Sequence, residues 1–266
     1  MKSHIFCVLM VCACAEMPAQ ETVTPEIKGL RINGQFAGQF PAAMLGGKAV
    51  AIEFDLEKSQ PLDFRVKFFQ CDKDWNITQT QLVNDAMRNS TKFPIPYERA
   101  PIGVEHYVYH YTLRVPGFPG VEQFSFSGNY LFEIWDKELT TMLATGRFFV
   151  VEEAVPVSMV VRNRLLPSES APMNQVNKIE VGVAIPEQQV IETDQLVVNQ
   201  VRTVDVYRNR ELGSPYRIDV DDNNPNTFVD GFGTGSLVFW VDNVRPGNEY
   251  RTLDLTDVDY YPPNRI

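Results

Sequence analysis

From residue 26 onward, apolar and polar residues alternate at a period of two, in short runs broken by turn-forming residues. "VAIEFDL" (50–56) and "DFRVKFF" (63–69) show the pattern. The longest run, "EHYVYHYTLRV" (105–115), puts Tyr107, Tyr109, Tyr111, Leu113 and Val115 on one face and His106, Val108, His110 and Thr112 on the other. A pleated strand with one wet face requires this period. Because aromatic area is costly to leave in water, the tyrosine face is expected to be the more buried one. "VPGFPG" (115–120) supplies a turn, and "GNYLFEIWD" (128–136) and "GRFFVVEE" (146–153) read as further strands. A faint helical spacing occurs only around Thr80 to Met87, so no helix longer than about twelve residues is expected after residue 25.

The pattern restarts after "VEEAVPVSM". "NKIEVGVAI" (177–185), "QLVVNQVRTVDVYRN" (195–209), "PYRIDVD" and "GSLVFWVDN" read as strands. Pro156 and the Pro/Ser/Glu-rich "LLPSESAPMNQ" place a boundary near residue 154. The expected architecture is all-β: two consecutive β-sandwich-like domains, residues 21–153 and 154–266, after a leader at 1–20. The closing "RTLDLTDVDYYPPNRI" shows no sign of a finished domain, so the second domain is expected to lack its last strands and to leave an unpaired sheet edge.

That leader, "MKSHIFCVLMVCACAEMPAQ", has Lys2, an apolar stretch from Ile5 to Ala15 and small residues at Pro18-Ala19, the pattern of a secretory signal peptide. The stretch is shorter than the roughly 20 residues a spanning helix needs. "VCAC" also resembles a degenerate lipoprotein box with Cys14 as the lipidated residue. Cys7, Cys12 and Cys14 lie in the leader, which leaves Cys71 alone and without a disulfide partner. A lone cysteine in a strand-like run is expected to act as a small buried hydrophobe. At a net charge of −10, the chain is a poor match for nucleic acid or an anionic membrane surface.

The most site-like stretch is "FQCDKDWNITQT" (69–80), where Asp72, Asp74 and Asn76 recur at every second position, as in a calcium loop. Such a loop needs glycine at its sixth position and glutamate at its twelfth, but Ile77 and Val83 stand there. A turn is therefore expected, with the polar side chains bonding their own backbone. "DVDDNNPN" (219–226) reads likewise as a solvated hairpin end. His106 and His110 have a zinc-like spacing only on a helix; on a strand, four residues span about 13 Å, too far to share an ion. There is no glycine-rich phosphate loop, and no cofactor is expected. The aromatic residues are assigned to the core rather than to a sugar-binding platform.

Taken together, "FFQCDKDWNITQT", "YVYHYTLRVPG", "SGNYLFEIWD" and "GRFFVVEE" resemble the N-terminal domain of the plug proteins of the type IX secretion system. In that family a strand ends in His-Cys-Asn/Asp-x-Asp-Trp, a later one carries Thr-His-Tyr, and a Ser-Gly-Asn-Tyr strand precedes Arg-Phe-x-Val. The matching residues are Cys71, Asp72, Asp74 and Trp75, then His110 and Tyr111, then Ser127, Gly128, Asn129 and Tyr130, then Arg147, Phe148 and Val150. Gln70 and Tyr109 replace the family's histidine and threonine. The resemblance covers about residues 26 to 153, and beyond them it rests on "NPNTF" and "GNEYRTLDL".

What the resemblance implies is a non-enzymatic protein on the periplasmic side of the outer membrane, whose partner is a very large β-barrel translocon. Two β-domains would obstruct the mouth of that barrel when no substrate passes. The matching residues are then expected to be structural. A carbohydrate-binding β-sandwich protein of the cell envelope is the alternative, and an ordered row of exposed Trp and Tyr on one sheet face would mark it.

Overall fold

The computed structural model describes residues 22–34, 40–78, 88–166, 174–184, 201–208, 211–232 and 235–246. The expected leader, the stretch Thr80–Met87, residues 195–200 and the closing segment from Arg251 lie outside them. The chain divides into two units, Met1–Glu152 and Glu153–Ile266. Both are built of strands, and among the described residues the helical element is one 3₁₀ turn, Arg88–Lys92.

The first unit has two sheets. In one, β1 (Thr22–Val23), β9 (Met142–Val151), β8 (Gly128–Trp135) and β5 (Arg65–Cys71) lie in that order, with β3 (Ala42–Met44) parallel to β9. In the other the order is β2 (Lys28–Asn33), β4 (Val50–Leu56), β7 (Tyr109–Val115), β6 (Tyr97–Arg99). The alternation of "VAIEFDL" is realised in full: Val50, Ile52, Phe54 and Leu56 are completely buried. They pair across the sheet with Val115, Leu113, Tyr111 and Tyr109. The same core takes in Val66, Phe68, Tyr130, Phe132, Ile134, Phe148 and Val150 of the first sheet. Each fully buried side chain of this size contributes about 1.5–3 kcal/mol. The packing leaves little room at β9, where a Cβ on Gly146 would lie 2.5 Å from the ring of its cross-strand partner Phe132 and 2.7 Å from Ile32 of the facing sheet.

Strand β7 is shorter than its alternating pattern. It begins at Tyr109, so Tyr107 is not on it, and residues 105–107 belong to the loop after β6. The neighbours explain this: β4 ends at Leu56 and β6 at Arg99, next to Ala100-Pro101, and after the bonds of Val108 to Leu56 and Ala100 neither neighbour continues a ladder for Tyr107 to join. Within the strand the expected polarity holds. Tyr111 is buried, Tyr109 packs against the core, His110 lies on the outer face, and His106 is exposed in the loop.

In the second unit, β10 (Val157–Leu166), β11 (Asn174–Ala184), β15 (Ser236–Val244) and β14 (Thr227–Asp230) form an antiparallel sheet. A two-stranded ribbon, β12 (Thr203–Val206) and β13 (Tyr216–Asp219), adds Val206 and Ile218 to a core of Ile179, Val181, Val183, Leu237, Phe239 and Val241. Strand β10 has no counterpart among the expected strands. Its run "VSMVVRNRLL" does not alternate, and its described residues are exposed on both faces. The stretch 219–226 also departs from expectation. It closes no hairpin: β13 pairs with β12 and β14 with β15, so it passes from the ribbon to the sheet. Asp219 and Asn224 cap turns within it by accepting from the N–H groups of Asp221 and Asn226.

Candidate functional site

The signature residues of the first unit fall into three groups. At the end of β5 the chain reverses through residues 71–77, closed by a bridge between Cys71 and Ile77. Asp72 organises the turn. Its Oδ1 accepts from the Asp74 and Asn76 N–H groups at 2.8 and 2.9 Å, and its Oδ2 from the Asn76 amide at 3.1 Å. These donors, the Asn76 side chain foremost, hold the Asp72 carboxyl below the usual carboxylate range. Asp74 is exposed and ion-pairs with Lys73. The Asp/Asn spacing thus builds a turn, with the Asp72 carboxylate turned onto its own loop.

This turn puts Trp75 in the left-handed region at φ 66°, an uncommon conformation for a bulky side chain. The ring lies back over the outer face of the sheet. It meets Phe149 edge-on at 5.3 Å and receives the Arg147 guanidinium at 4.9 Å. Phe40 stacks on Phe149 at 5.4 Å. Asn129, paired across the sheet with Cys71 and Phe149, donates its amide to the Asp72 carbonyl at 3.0 Å. Cys71 lies buried beneath, and burial pushes its thiol up to about 11. A thiol with so little thiolate at neutral pH is a poor nucleophile.

The second group is internal. Tyr130 and Phe148, paired across β8 and β9, stack at 5.7 Å with Phe124 against both. The Tyr130 hydroxyl donates to the Phe126 carbonyl at 2.8 Å, and Val150 shares this core. Gly128 takes φ +136°, where a side chain would be strained, as β8 begins. Ser127 reaches Glu152 at 3.4 Å.

The third group is on β7. Tyr111 stacks on Phe54 at 4.8 Å, while its hydroxyl accepts from the Leu62 N–H at 2.9 Å and donates to the Leu62 carbonyl at 2.8 Å. His110 points outward, with Nδ1 2.7 Å from Asp55. Cys71 and His110 are therefore on different sheets and form no nucleophile–base pair.

Of the two departures from the family pattern, Gln70 uses its backbone carbonyl to receive the Thr78 N–H and hydroxyl. Tyr109 reaches the Ser59 carbonyl at 3.3 Å. Phe149, Phe40 and Leu62 belong to these groups although no sequence motif marks them. Phe149 sits at a wet-face position of β9, where Phe40 and the chain-reversing turn that brings Trp75 over it supply its aromatic partners.

A cleft of about 560 Å³ in this unit is lined by Glu26, Lys58, Asp63, Asp136, Lys137 and Glu138. Its carboxylates suggest acid–base chemistry, but two of them are held the wrong way for a proton donor. Glu26 is lowered by its own N–H, and Asp136 mainly by the Thr140 hydroxyl. Among the described residues no cluster of three metal-ligating side chains occurs.

Nor do the tryptophans form a platform. Trp75 carries Arg147, Trp135 carries the Lys67 ammonium at 3.7 Å, and Trp240 lies between Lys178 at 4.5 Å and Phe228 at 5.3 Å. A sugar ring needs an open aromatic face, and on each indole a cation has taken one.

Comparison with known proteins fits this geometry. A crystal structure of a hypothetical protein from Parabacteroides merdae ATCC 43184 superposes with a TM-score of 0.65 at 20% identity, over 86% of this chain and 54% of that one. That likeness establishes the fold, and the chain spans about half the length of the solved protein. No curated protein matches. The family model described as "Type 9 secretion system plug protein 1st domain" matches residues 27–152, the span holding all three signature groups. Residues 27–152 therefore belong to the type IX secretion system plug protein family, as its first domain.

Proposed function

We propose that the chain is a non-enzymatic plug: exported by its leader, held on the periplasmic side of the outer membrane, and seated in the mouth of the translocon barrel. Residues 21–153 are the plug domain and 154–266 a second β-rich domain. The observation that carries this reading is the family match over 27–152. The family is one of secretion plug domains rather than of enzymes. The geometry supports it, because Asp72, Asn129, Tyr111 and Tyr130 spend their polar groups on nearby backbone, and the rings of Trp75, Tyr111, Tyr130 and Phe148 pack on aromatic neighbours, as a rigid stopper requires. Their role is to fix the shape of the domain. Among the described residues no helix is long and apolar enough to cross a membrane.

The test is affinity purification of the tagged chain from detergent-solubilised outer membranes. Co-elution of one large β-barrel, lost when residues 21–153 are deleted, is the expected result. Recovery without a barrel, or retention on an envelope-glycan column, would refute the plug reading.

A further inference from the structure

We infer that β10 is a self-association edge, and that two copies of the chain join through it about a two-fold axis. The inference rests on the second unit alone and is independent of the plug reading. In the sheet order β10-β11-β15-β14, β10 is terminal, and among the described residues its second edge is unpaired by any strand of its sheet.

The register with β11 decides which groups face that edge. Ala184 donates to the Pro156 carbonyl, and the pairing runs from Val157↔Val183 to Leu166↔Asn174 without a slip. Hydrogen-bonded and non-hydrogen-bonded pairs alternate in an antiparallel ladder. The even-numbered residues of β10 therefore bond into the sheet, while Val157, Met159, Val161, Asn163 and Leu165 turn their N–H and C=O groups outward.

The side chains of these same residues continue the core face. Val157, Met159 and Val161 sit opposite buried Val183, Val181 and Ile179, yet they are 63%, 60% and 50% exposed. Leu165 is 61% exposed, and Val160 on the opposite face 45%. Native proteins protect such an edge with proline, a bulge or uncompensated charge. Within Val157–Leu166 there is no proline or register shift, and the two arginines are engaged within the sheet, Arg162 with Glu180 and Arg164 with Asp242.

A second copy fits this edge. A two-fold axis makes the paired strands antiparallel, and centring it on Val160 sets Met159 against Val161 of the partner, twice, with Val160 against itself. Arg162 then faces Ser158 and Arg164 faces Pro156, so no like charges meet. The five apolar residues leave roughly 500 Å² in water per copy, so at most about 1,000 Å² of apolar surface is available to the pairing, about the size at which an interface becomes specific. The result is a continuous eight-stranded sheet across two copies.

The experiment is sedimentation of the purified chain from low to high micromolar concentration, compared with Val161→Pro and Met159→Lys. Proline at 161 removes an outward N–H and leaves the β11 ladder intact, as edge strands allow; lysine at 159 disrupts only the apolar face. The wild type is expected to approach twice the monomer mass, and each variant to weaken association at least tenfold with unchanged far-ultraviolet circular dichroism. A wild type that stays monomeric throughout, or a dimer indifferent to both substitutions, overturns the inference. Should Val161→Pro unfold, Met159→Lys alone decides.

Discussion

The Arg147 guanidinium carbon lies 4.9 Å from the centre of the Trp75 ring, so a cation on the outer face of a sheet is only 8% exposed. Trp75 reaches that place because the turn hung on Asp72 forces it to a φ of 66°. A strained residue persists where its surroundings over-determine it. Here the surroundings are Phe149, Arg147 and the capped turn.

Removing the ring should therefore cost more than removing its exposed neighbour. Trp75→Ala loses an edge-on aromatic contact and a cation–π contact and opens Phe149 to water, about 2 kcal/mol in total, while its Cβ keeps the strain of the left-handed backbone. Asp74→Ala keeps the N–H that Asp72 accepts and should stay within about 0.5 kcal/mol of wild type. Urea denaturation of the two variants gives the comparison. The reverse order would mean that the charges, and not the ring, hold the turn.

Tyr111 makes a separable contribution. Tyr111→Phe retains the stack on Phe54 but leaves the Leu62 N–H and carbonyl without the hydroxyl, a loss of about 1–2 kcal/mol. Tyr111→Leu loses the stack as well and should be at least as destabilising again. Equal stabilities for wild type and Tyr111→Phe would show that water replaces the hydroxyl at no cost.

The β class and most strands of the first unit are legible in the sequence because one face of each strand is wet, so the pattern records the pleat. "VAIEFDL" is the clearest case, with its strand matching the alternating run residue for residue. Legibility fails where that condition fails. Strand β10 is exposed on both faces and leaves no period-two signal. Strand β7 stops where its neighbours stop, and no local pattern encodes that. For the site, the Asp72 turn follows from side-chain chemistry, whereas the Trp75–Arg147–Phe149 stack needs the alignment of β5, β8 and β9. Only the family resemblance singles out Trp75 and Arg147.

Gly146 offers a test of how tightly its cross-strand neighbour Phe132 and Ile32 of the facing sheet pack over β9. It needs no special backbone angle, and its requirement is space, because an added Cβ would stand 2.5 Å from Phe132 and 2.7 Å from Ile32. Gly146→Ala should cost about 1–3 kcal/mol by overpacking. Phe132→Leu should cost stability alone but recover part of the loss when combined with Gly146→Ala. Strict additivity in that double-mutant cycle would place the strain elsewhere.

The pH dependence of stability follows from groups shifted in opposite directions. On the acid side, Asp72 and Asp136 are held below their ordinary range by hydrogen bonds, so their contribution is present at neutral pH and lost as pH falls through their folded values. On the alkaline side, burial pushes Cys71 up to about 11 and Tyr111 and Tyr130 up to about 12. For each of these, the neutral form is the protonated one, and the folded chain binds the proton more tightly than the unfolded chain does. Between the ordinary and the shifted value the unfolded state has already released its proton, so stability falls as pH rises. The decline should begin near the ordinary thiol value of 9.0 and steepen above the phenol value of 10.0. Urea midpoints measured from pH 7 to 11 should show it, and the paired variant Tyr111→Phe with Tyr130→Phe should have a shallower alkaline slope from a lower starting stability. Absorbance at the tyrosinate band supplies the check. If all ten tyrosines ionised together near the ordinary value while the chain stayed folded, the two buried hydroxyls would not be where the hydrogen bonds to Leu62 and Phe126 put them.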